Sequence, residues 1–453
     1  MKVLVTGATG FVGNKVIKAL HNNGHQVVVL TRDAQKAEVR LPHSCQVFHW
    51  DPEKQIIPKE AFDQVNAVIH LAGENIAEGR WTSDKKERIR DSRVYSTRTL
   101  MKGLRESKIK PDALVSASAV GIYGDRRDEV LTENSAKDCG WLADVCYLWE
   151  KEVSKAQDMG IRTVSLRIGV VLGHDGGAMK KILPPFRMAL GGDLGDGKQW
   201  MSWIHLDDLA EMFVHAIENP ELKGTYNAVS PHPVTNRMFT HILANVLNRP
   251  VFFPVPRFAL KLALGEMSTI LLNSQYVSSD RIWKTGFKFR FTTLEQALTE
   301  ICGHSCHELE MEQWIPQPLD KTFSFFKKCE NLEPLTPEFM NFKVVDQSTE
   351  QVMEGTTIDY RLRLHGIPFA WQSQITEWKP NRSFADIQTK GPYSFWHHKH
   401  EFEEKNGGTL LKDYVTYKVP FGIIGDLLAH HFVKKDLENI FSFRRSKIKE
   451  LLA

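Results

Sequence analysis

Residues 1–20 read MKVLVTGATGFVGNKVIKAL. The apolar run Val3–Val5 leads directly into Gly7, Gly10 and Gly13, and from there into Phe11, Val12, Val16, Ile17 and Leu20 at helical spacing. A short strand that turns through glycines into a helix is the opening of a βαβ unit. Glycines at such a joint let the backbone turn tightly and approach a pyrophosphate, while the unpaired amides of the first helical turn point at the anion. Gly7, Thr9, Gly10, Phe11, Val12 and Gly13 are therefore the predicted dinucleotide loop.

The same rhythm continues outward. HQVVVLTR, AVIHLAG, ALVSASA and RTVSLRIGVV read as strands, separated by helical stretches such as SDKKERIRDSRVYSTRTLMKGLRES. Strands alternating with helices over residues 1 to about 170 predict a Rossmann-type, doubly wound parallel sheet, an α/β class. Residues 170–300, with GHDGGAMKKILPPFRMALGGDLGDG, read as loops and helices built onto that sheet. From residue 304 the pattern changes. Leu309 and Met311 alternate with Glu308, Glu310 and Glu312; Ile358, Tyr360, Leu362 and Leu364 share one face of a strand; Asn406, Gly407 and Gly408 turn a hairpin; and a long helix begins near Gly422. This predicts a second, α+β domain, with boundaries at 1–303 and 304–453.

The second strand selects the cofactor. NAD sites usually place a carboxylate at its end to hold the adenosine ribose; here Thr31 and Arg32 stand there, followed by Asp33. A guanidinium matches a 2′-phosphate that a carboxylate would repel, so NADP is expected. Net charge is +3 over 453 residues, with 42 % apolar and 25 % charged side chains. Those values argue against a nucleic-acid or anionic-membrane partner. Six scattered cysteines, no leader pattern and no apolar run long enough to span a bilayer suit a cytoplasmic protein. FALKLALGEMSTILL, which carries Lys261 and Glu266, reads as an amphipathic helix that joins the core.

VTGATGFVG, VIHLAGENIAEGRW, SASAVGIYGD, LRIGVVLGHDGGAMKKILPPFRMALGG, WIHLDDLA and YNAVSPHPVTN, spread over residues 1 to about 302, together resemble the extended short-chain dehydrogenase/reductase superfamily. The narrower likeness is to its epimerase-like family, to which a cell-division label is sometimes attached; nothing in these residues supports that label. The resemblance implies that Leu71, Ala72 and Gly73 lie beside the adenosine ribose and that Arg93 lies near the cofactor. It also implies chemistry by a serine, a tyrosine and a lysine four residues beyond it. The tyrosine moves a proton, the lysine tunes it and holds the nicotinamide ribose, and the serine orients the substrate oxygen. Ser118 stands at a strand end, and Tyr147 and Lys151 have the required spacing, so these three are the catalytic candidates. In the narrower family the place of Tyr147 is often not tyrosine, and a tyrosine four residues before a lysine is a common coincidence on a helix. Tyr147 as a half-buried helix aromatic is the competing reading. Tyr123 is expected to shape the site, and His205, Asp207 and Asp208 to hold a loop against the following helix.

Cys302, His304, Cys306 and His307 lack a zinc spacing and read as linker. His397, His398 and His400 lie on one strand, with His398 and His400 on the same face. Without a partnering carboxylate they read as a polar sheet face or cavity wall, and no metal is expected. WIPQPLDKTFSFFKKCENLEPLTP, IDYRLRLHGIPFAWQSQI, GPYSFWHHKHEF and YKVPFG resemble the helix-grip, START-like (SRPBCC) superfamily in its polyketide cyclase/dehydrase-like branch. That likeness implies a curved antiparallel sheet gripping the last helix around an apolar cavity, and Trp371, Trp378, Phe384, Tyr393, Phe395 and Trp396 supply aromatic surface for one. The expected function is NADP-dependent oxidoreduction or epimerisation of a small molecule, with an apolar ligand in the second domain. A non-catalytic NADP-binding sensor is the alternative from another class. Sugar-nucleotide epimerisation ranks below both, since only Arg187 offers a second anion site. Self-association into a homo-oligomer stays open.

Overall fold

The computed structural model describes residues 1–452 apart from 36, 38–40, 43, 175, 253, 304–306, 365, 420 and 421, and describes only the helical backbone over 422–431. Two compact units are present, one of residues 1–38 and 44–303 and one from residue 304 onward.

The first unit is built on seven parallel strands: β1 (Lys2–Thr6), β2 (Gln26–Thr31), β3 (Gln46–His49), β4 (Ala67–His70), β5 (Ala113–Ala119), β6 (Arg162–Ile168) and β7 (Gly224–Ala228). Their order across the sheet is β7-β6-β5-β4-β1-β2-β3. The order reverses between β1 and β4, which is where an open α/β sheet leaves a crevice at the carboxyl ends of its strands. Val3, Leu4 and Val5 are fully buried, as expected of strands covered on both faces. Helices α1 (Phe11–Asn22), α2 (Ser83–Glu106), α3 (Trp141–Ser154) and α4 (Leu206–Glu218) flank the sheet, α1 packing beside α4 and α2 beside α3. From α1, Val16, Ile17 and Leu20 are buried, each worth about 1.5–3 kcal/mol relative to exposure.

Two details depart from the expected pattern. The apolar run RTVSLRIGVV breaks at Gly169. Val170–Leu172 leaves the sheet to pair with Trp203–His205, and a Cβ at Gly169 would lie 2.4 Å from the Ser202 carbonyl oxygen. The stretch beginning at Phe258 is not one helix: Arg257–Leu264 and Thr269–Leu272 are helical on either side of a 3-10 turn at Gly265–Ser268. It is amphipathic as expected, with Leu260, Met267 and Leu272 buried and Phe258 and Leu262 exposed. Gly265, at positive φ, ends the helix.

The second unit is a seven-stranded antiparallel sheet: β8 (His307–Ile315), β9 (Lys343–Gln347), β10 (Thr357–Leu364), β11 (Ile367–Lys379), β12 (Ser383–Lys390), β13 (Phe395–Lys405) and β14 (Gly408–Lys418), ordered β8-β14-β13-β12-β11-β10-β9. A short helix, α5 (Leu319–Phe326), precedes β9, and a long one, α6 (Gly422–Leu452), ends the chain. Asn406 and Gly407, both at positive φ, make the two-residue turn between β13 and β14. Leu437 and Phe441 of α6 pack on Trp396, Val415 and Tyr417, and further along Ile448 and Leu452 pack with Phe323, Phe402 and Leu411. Among the described residues no helix is long and apolar enough to cross a membrane.

Candidate functional site

The glycines of the first loop are fixed by contact. Gly7 has φ +72°, and a Cβ there would lie 2.8 Å from the Leu71 carbonyl carbon. A Cβ on Gly13 would lie 2.1 Å from the Gly7 carbonyl oxygen. The backbone of α1 is thus drawn against the end of β1, and its first amides open toward the crevice. Phe11 lies beneath a second glycine stretch: side chains on Gly173, Gly176 or Gly177 would strike its ring. Thr9 and Val12 share the Gly7–Gly13 turn.

Thr6 ties this loop to the next strand end. Its Oγ1 accepts from the amides of Leu71 and Ala72, each at 3.2 Å, and lies 2.8 Å from Nδ1 of His70. His70 Nε2 reaches Thr97 Oγ1 on α2 at 3.1 Å. Burial, with the nearby Arg93 guanidinium, pushes the His70 imidazole down to about 3. Leu71–Gly73 are placed by a bridge that runs from β1 through β4 to α2. Arg93 lies across Gly73, donates to the carbonyls of Glu74 and Ile89 at 3.1 and 3.0 Å, and sits over the Trp149 ring at 5.0 Å. Its hydrogen bonds go to carbonyl oxygens, and burial lowers its pKa.

Thr31 ends β2, and Arg32 is exposed beyond it. Lys85 donates to Glu74 at 2.7 Å; that bond, with the fields of Arg88 and Arg32, holds the Glu74 carboxyl below its usual range. Arg32 is thus one of several cations at this corner of the crevice, and Arg88 on α2 is a second that sequence reasoning missed.

Ser118 is buried at the end of β5 and donates to Glu150 Oε1 at 2.6 Å. Arg167, on β6, grips the same carboxylate with Nε and Nη2, both at 2.9 Å. Its Nη1 donates to the Tyr123 hydroxyl at 2.9 Å, and that hydroxyl donates to Asn227 Oδ1 at 2.6 Å. Burial disfavours a charged Arg167, but the bonds and field of Glu150 outweigh this and raise its pKa. Burial likewise raises the Tyr123 pKa, so Tyr123 shapes the site as a neutral phenol.

The expected tyrosine–lysine pair lies elsewhere. α3 buries Cys146 and Trp149, whereas Tyr147 is 47 % exposed, with Lys137 over its ring at 5.8 Å, and Lys151 is exposed. The residue of α3 that meets Ser118 is Glu150, one position before Lys151; Cys146, one position before Tyr147, is buried among Val120, Ile122 and Tyr123. Burial pushes the Cys146 thiol up to about 12, so it does not supply a reactive thiolate. The cause of the mismatch is helix phase: consecutive residues on a helix point about 100° apart, and spacing alone does not fix which one faces the sheet.

His205 accepts from the Asp207 amide at 3.1 Å and caps α4, while Asp208 accepts from the amides of Arg290 and Phe291 at 2.7 and 3.0 Å. That segment holds a loop to the helix, as expected. Of Cys302, His304, Cys306 and His307, the middle two lie outside the described residues.

The second unit holds a partly open cavity of about 200 Å³ between sheet and terminal helix, walled in part by Trp371, Trp378, Phe384, Tyr393 and Trp396. Phe395, expected to join them, is 40 % exposed, because neighbours on a strand face opposite ways. His398 and His400 face inward and do have carboxylate partners. Asp413 Oδ1 lies 3.0 Å from His398 Nε2 and 2.6 Å from His400 Nδ1. Burial pushes His400 down to about 3; it also opposes ionisation of Asp413, but Arg444 and the two histidines hold that carboxyl well below its usual range.

Residues 3–229 match the NAD dependent epimerase/dehydratase family, and residues 255–301 match a domain of unknown function, DUF1731. The chain is 38 % identical over 302 residues to the epimerase family protein YfhF of Bacillus subtilis, covering 66 % of this chain and 98 % of that protein. It is 40 % identical over 309 residues to a chloroplastic SDR39U1 homolog of Arabidopsis thaliana, covering 66 % of this chain and 86 % of that protein. Among solved structures, the human epimerase family protein SDR39U1, crystallised with NADPH, is 32 % identical with a TM-score of 0.60, covering 67 % of this chain and 99 % of that one. A nucleoside-diphosphate sugar epimerase of Corynebacterium glutamicum is 33 % identical with a TM-score of 0.53, covering 66 % of this chain and 58 % of that one.

Proposed function

The chain belongs to the NAD dependent epimerase/dehydratase family, and from that premise we propose that its first unit is an NADP-binding oxidoreductase or epimerase-type enzyme acting on a small molecule in the cytoplasm. The carrying observation is the glycine turn: a Cβ at Gly7 would strike the Leu71 backbone and one at Gly13 the Gly7 carbonyl, so only glycines let the start of α1 lie against the end of β1, the close turn a pyrophosphate loop requires. The NADPH of the human relative supports the choice of NADP. Arg93, bonded to carbonyls, supplies a cation facing the Leu71–Gly73 strand end, and Arg32 with Arg88 supplies cations for a 2′-phosphate. The cofactor supplies hydride transfer when bound. Ser118 then places the substrate oxygen. Glu150, held by Arg167, accepts the Ser118 hydroxyl hydrogen, orienting the serine so that its lone pairs face the substrate. The five free cysteines among the described residues accord with a reducing compartment.

We further infer that the second unit is a START-like ligand-binding domain whose aromatic cavity takes a small apolar molecule; the antiparallel sheet, the terminal helix and the cavity support this reading. Mass spectrometry of solvent extracts from the purified full chain tests it: a retained apolar compound is expected, and extracts indistinguishable from buffer over several hosts contradict it.

The first reading is tested with stereospecifically deuterated NADPH incubated with a metabolite extract. Label should pass to a metabolite, and Ser118→Ala should abolish the transfer. The exposed position of Tyr147 and Lys151 favours a second reading, an NADP-binding sensor. Tight NADPH binding without label transfer in any extract selects it.

A further inference from the structure

The polar floor of the second unit's cavity is assembled by strand register. Asp386 on β12 pairs with His398 on β13, and His400 on β13 pairs with Asp413 on β14. His398 and His400 are two residues apart, so these cross-strand pairs put all four side chains on the face turned toward α6. His398, His400 and Asp413 are buried, and Asp386 is partly buried. One ring nitrogen of each histidine and one carboxylate oxygen of Asp386 lie within 4.8 Å of one another.

The outer partners are those of a metal centre. Asp413 Oδ1 is hydrogen-bonded to Nε2 of His398 and lies 2.6 Å from Nδ1 of His400, so Nδ1 of His398 and Nε2 of His400 are the nitrogens turned to a ligand in this reading. A carboxylate that fixes the far nitrogen of an imidazole sets both its tautomer and its direction. Ser373 Oγ donates to Asp386 Oδ2 at 3.0 Å, which holds that carboxylate and leaves Oδ1. Arg444 and Lys327 line the same cavity as Asp386, and Arg444 lies over the rings of Phe326 and Phe441. A cation bound among Asp386, His398 and His400 would offset the cost of burying the Asp386 carboxylate.

We propose that Asp386, His398 and His400 bind a divalent transition-metal ion of the zinc class, with Asp413 positioning both imidazoles. Two histidines and one carboxylate leave at least one coordination position open. Trp371, Tyr393 and Trp396 wall the same cavity, so an open position would suit the oxygen end, carboxylate or phenolate, of a small apolar ligand. The site lies wholly in the second unit and does not rest on the dinucleotide reading.

The test uses the full chain, stripped with chelator, and Co²⁺ or Zn²⁺ alone. One ion per chain is expected, with the visible absorption of low-coordinate cobalt. His398→Gln and Asp386→Asn should each weaken binding by about tenfold or more, and Asp413→Asn by about 10–100-fold. NADPH affinity and far-ultraviolet circular dichroism should stay unchanged. A wild-type chain that takes up no stoichiometric ion overturns the proposal, as does uptake that survives His398→Gln combined with His400→Gln. If those variants do not fold, proton NMR of the Co²⁺-loaded wild type decides. Shifted, exchangeable imidazole signals from two histidines are expected, and their absence overturns it.

Discussion

Ser118 Oγ donates to Glu150 Oε1 across 2.6 Å, and Arg167 holds that same carboxylate through two nitrogens. Ser118 is therefore held by an acidic residue of α3, while Tyr147 on the same helix is exposed. In the deuterium-transfer assay Glu150→Gln should slow transfer by about tenfold or more by misorienting Ser118. NADPH affinity should not change, and Tyr147→Phe should leave transfer within about twofold of wild type. Loss of transfer in Tyr147→Phe would restore the tyrosine to the chemistry.

The same ion pair carries stability. Removing one partner of a mostly buried pair leaves the other charge uncompensated. Glu150→Ala should cost about 3 kcal/mol in denaturant unfolding, the low end of the range for such pairs, because Tyr123 and the Glu133 carbonyl still bond Arg167. A loss under about 1 kcal/mol, typical of exposed pairs, would show that the pair is effectively solvated.

Gly13→Ala places a methyl group 2.1 Å from the Gly7 carbonyl oxygen. The helix start must move away from the strand end, so NADPH affinity should fall by about tenfold or more. Gly24→Ala, at a positive-φ glycine whose Cβ meets nothing within 4 Å, is the control for backbone strain alone and should leave affinity unchanged. Equal affinities in both variants would remove the cradle from cofactor binding.

His70 predicts a pH dependence. Its folded pKa, pushed to about 3, lies below the value of 6.5 expected when unfolded. Between those values the unfolded chain binds the extra proton. Stability attributable to His70 is therefore complete above pH 6.5 and is lost as pH falls toward 3, with a slope up to about 1.4 kcal/mol per pH unit. His70→Gln should flatten that part of the profile. An unchanged slope would assign it to other groups.

Much of the first unit was legible because its signals are local. Gly7, Gly10 and Gly13 sit within one turn, and the strand–helix alternation needs only a few residues at a time. The strand-end position of Ser118 is likewise readable from its own neighbours. Glu150 and Arg167 were not, because they meet only once α3 packs against β6, and the tyrosine–lysine spacing fits a helix in any rotational phase. His398 and His400 were correctly placed on one face. Their carboxylates were invisible because Asp386 and Asp413 come from neighbouring strands whose register a single sequence does not specify. The Thr6–His70–Thr97 bridge escaped notice for the same reason.

Calorimetric titration of the full chain with NADPH and, separately, NADH tests the central claim most directly. One NADPH per chain is predicted, bound about tenfold or more tightly than NADH, with Arg32→Ala closing most of that gap. No heat with either dinucleotide, or a clear preference for NADH, would contradict the account.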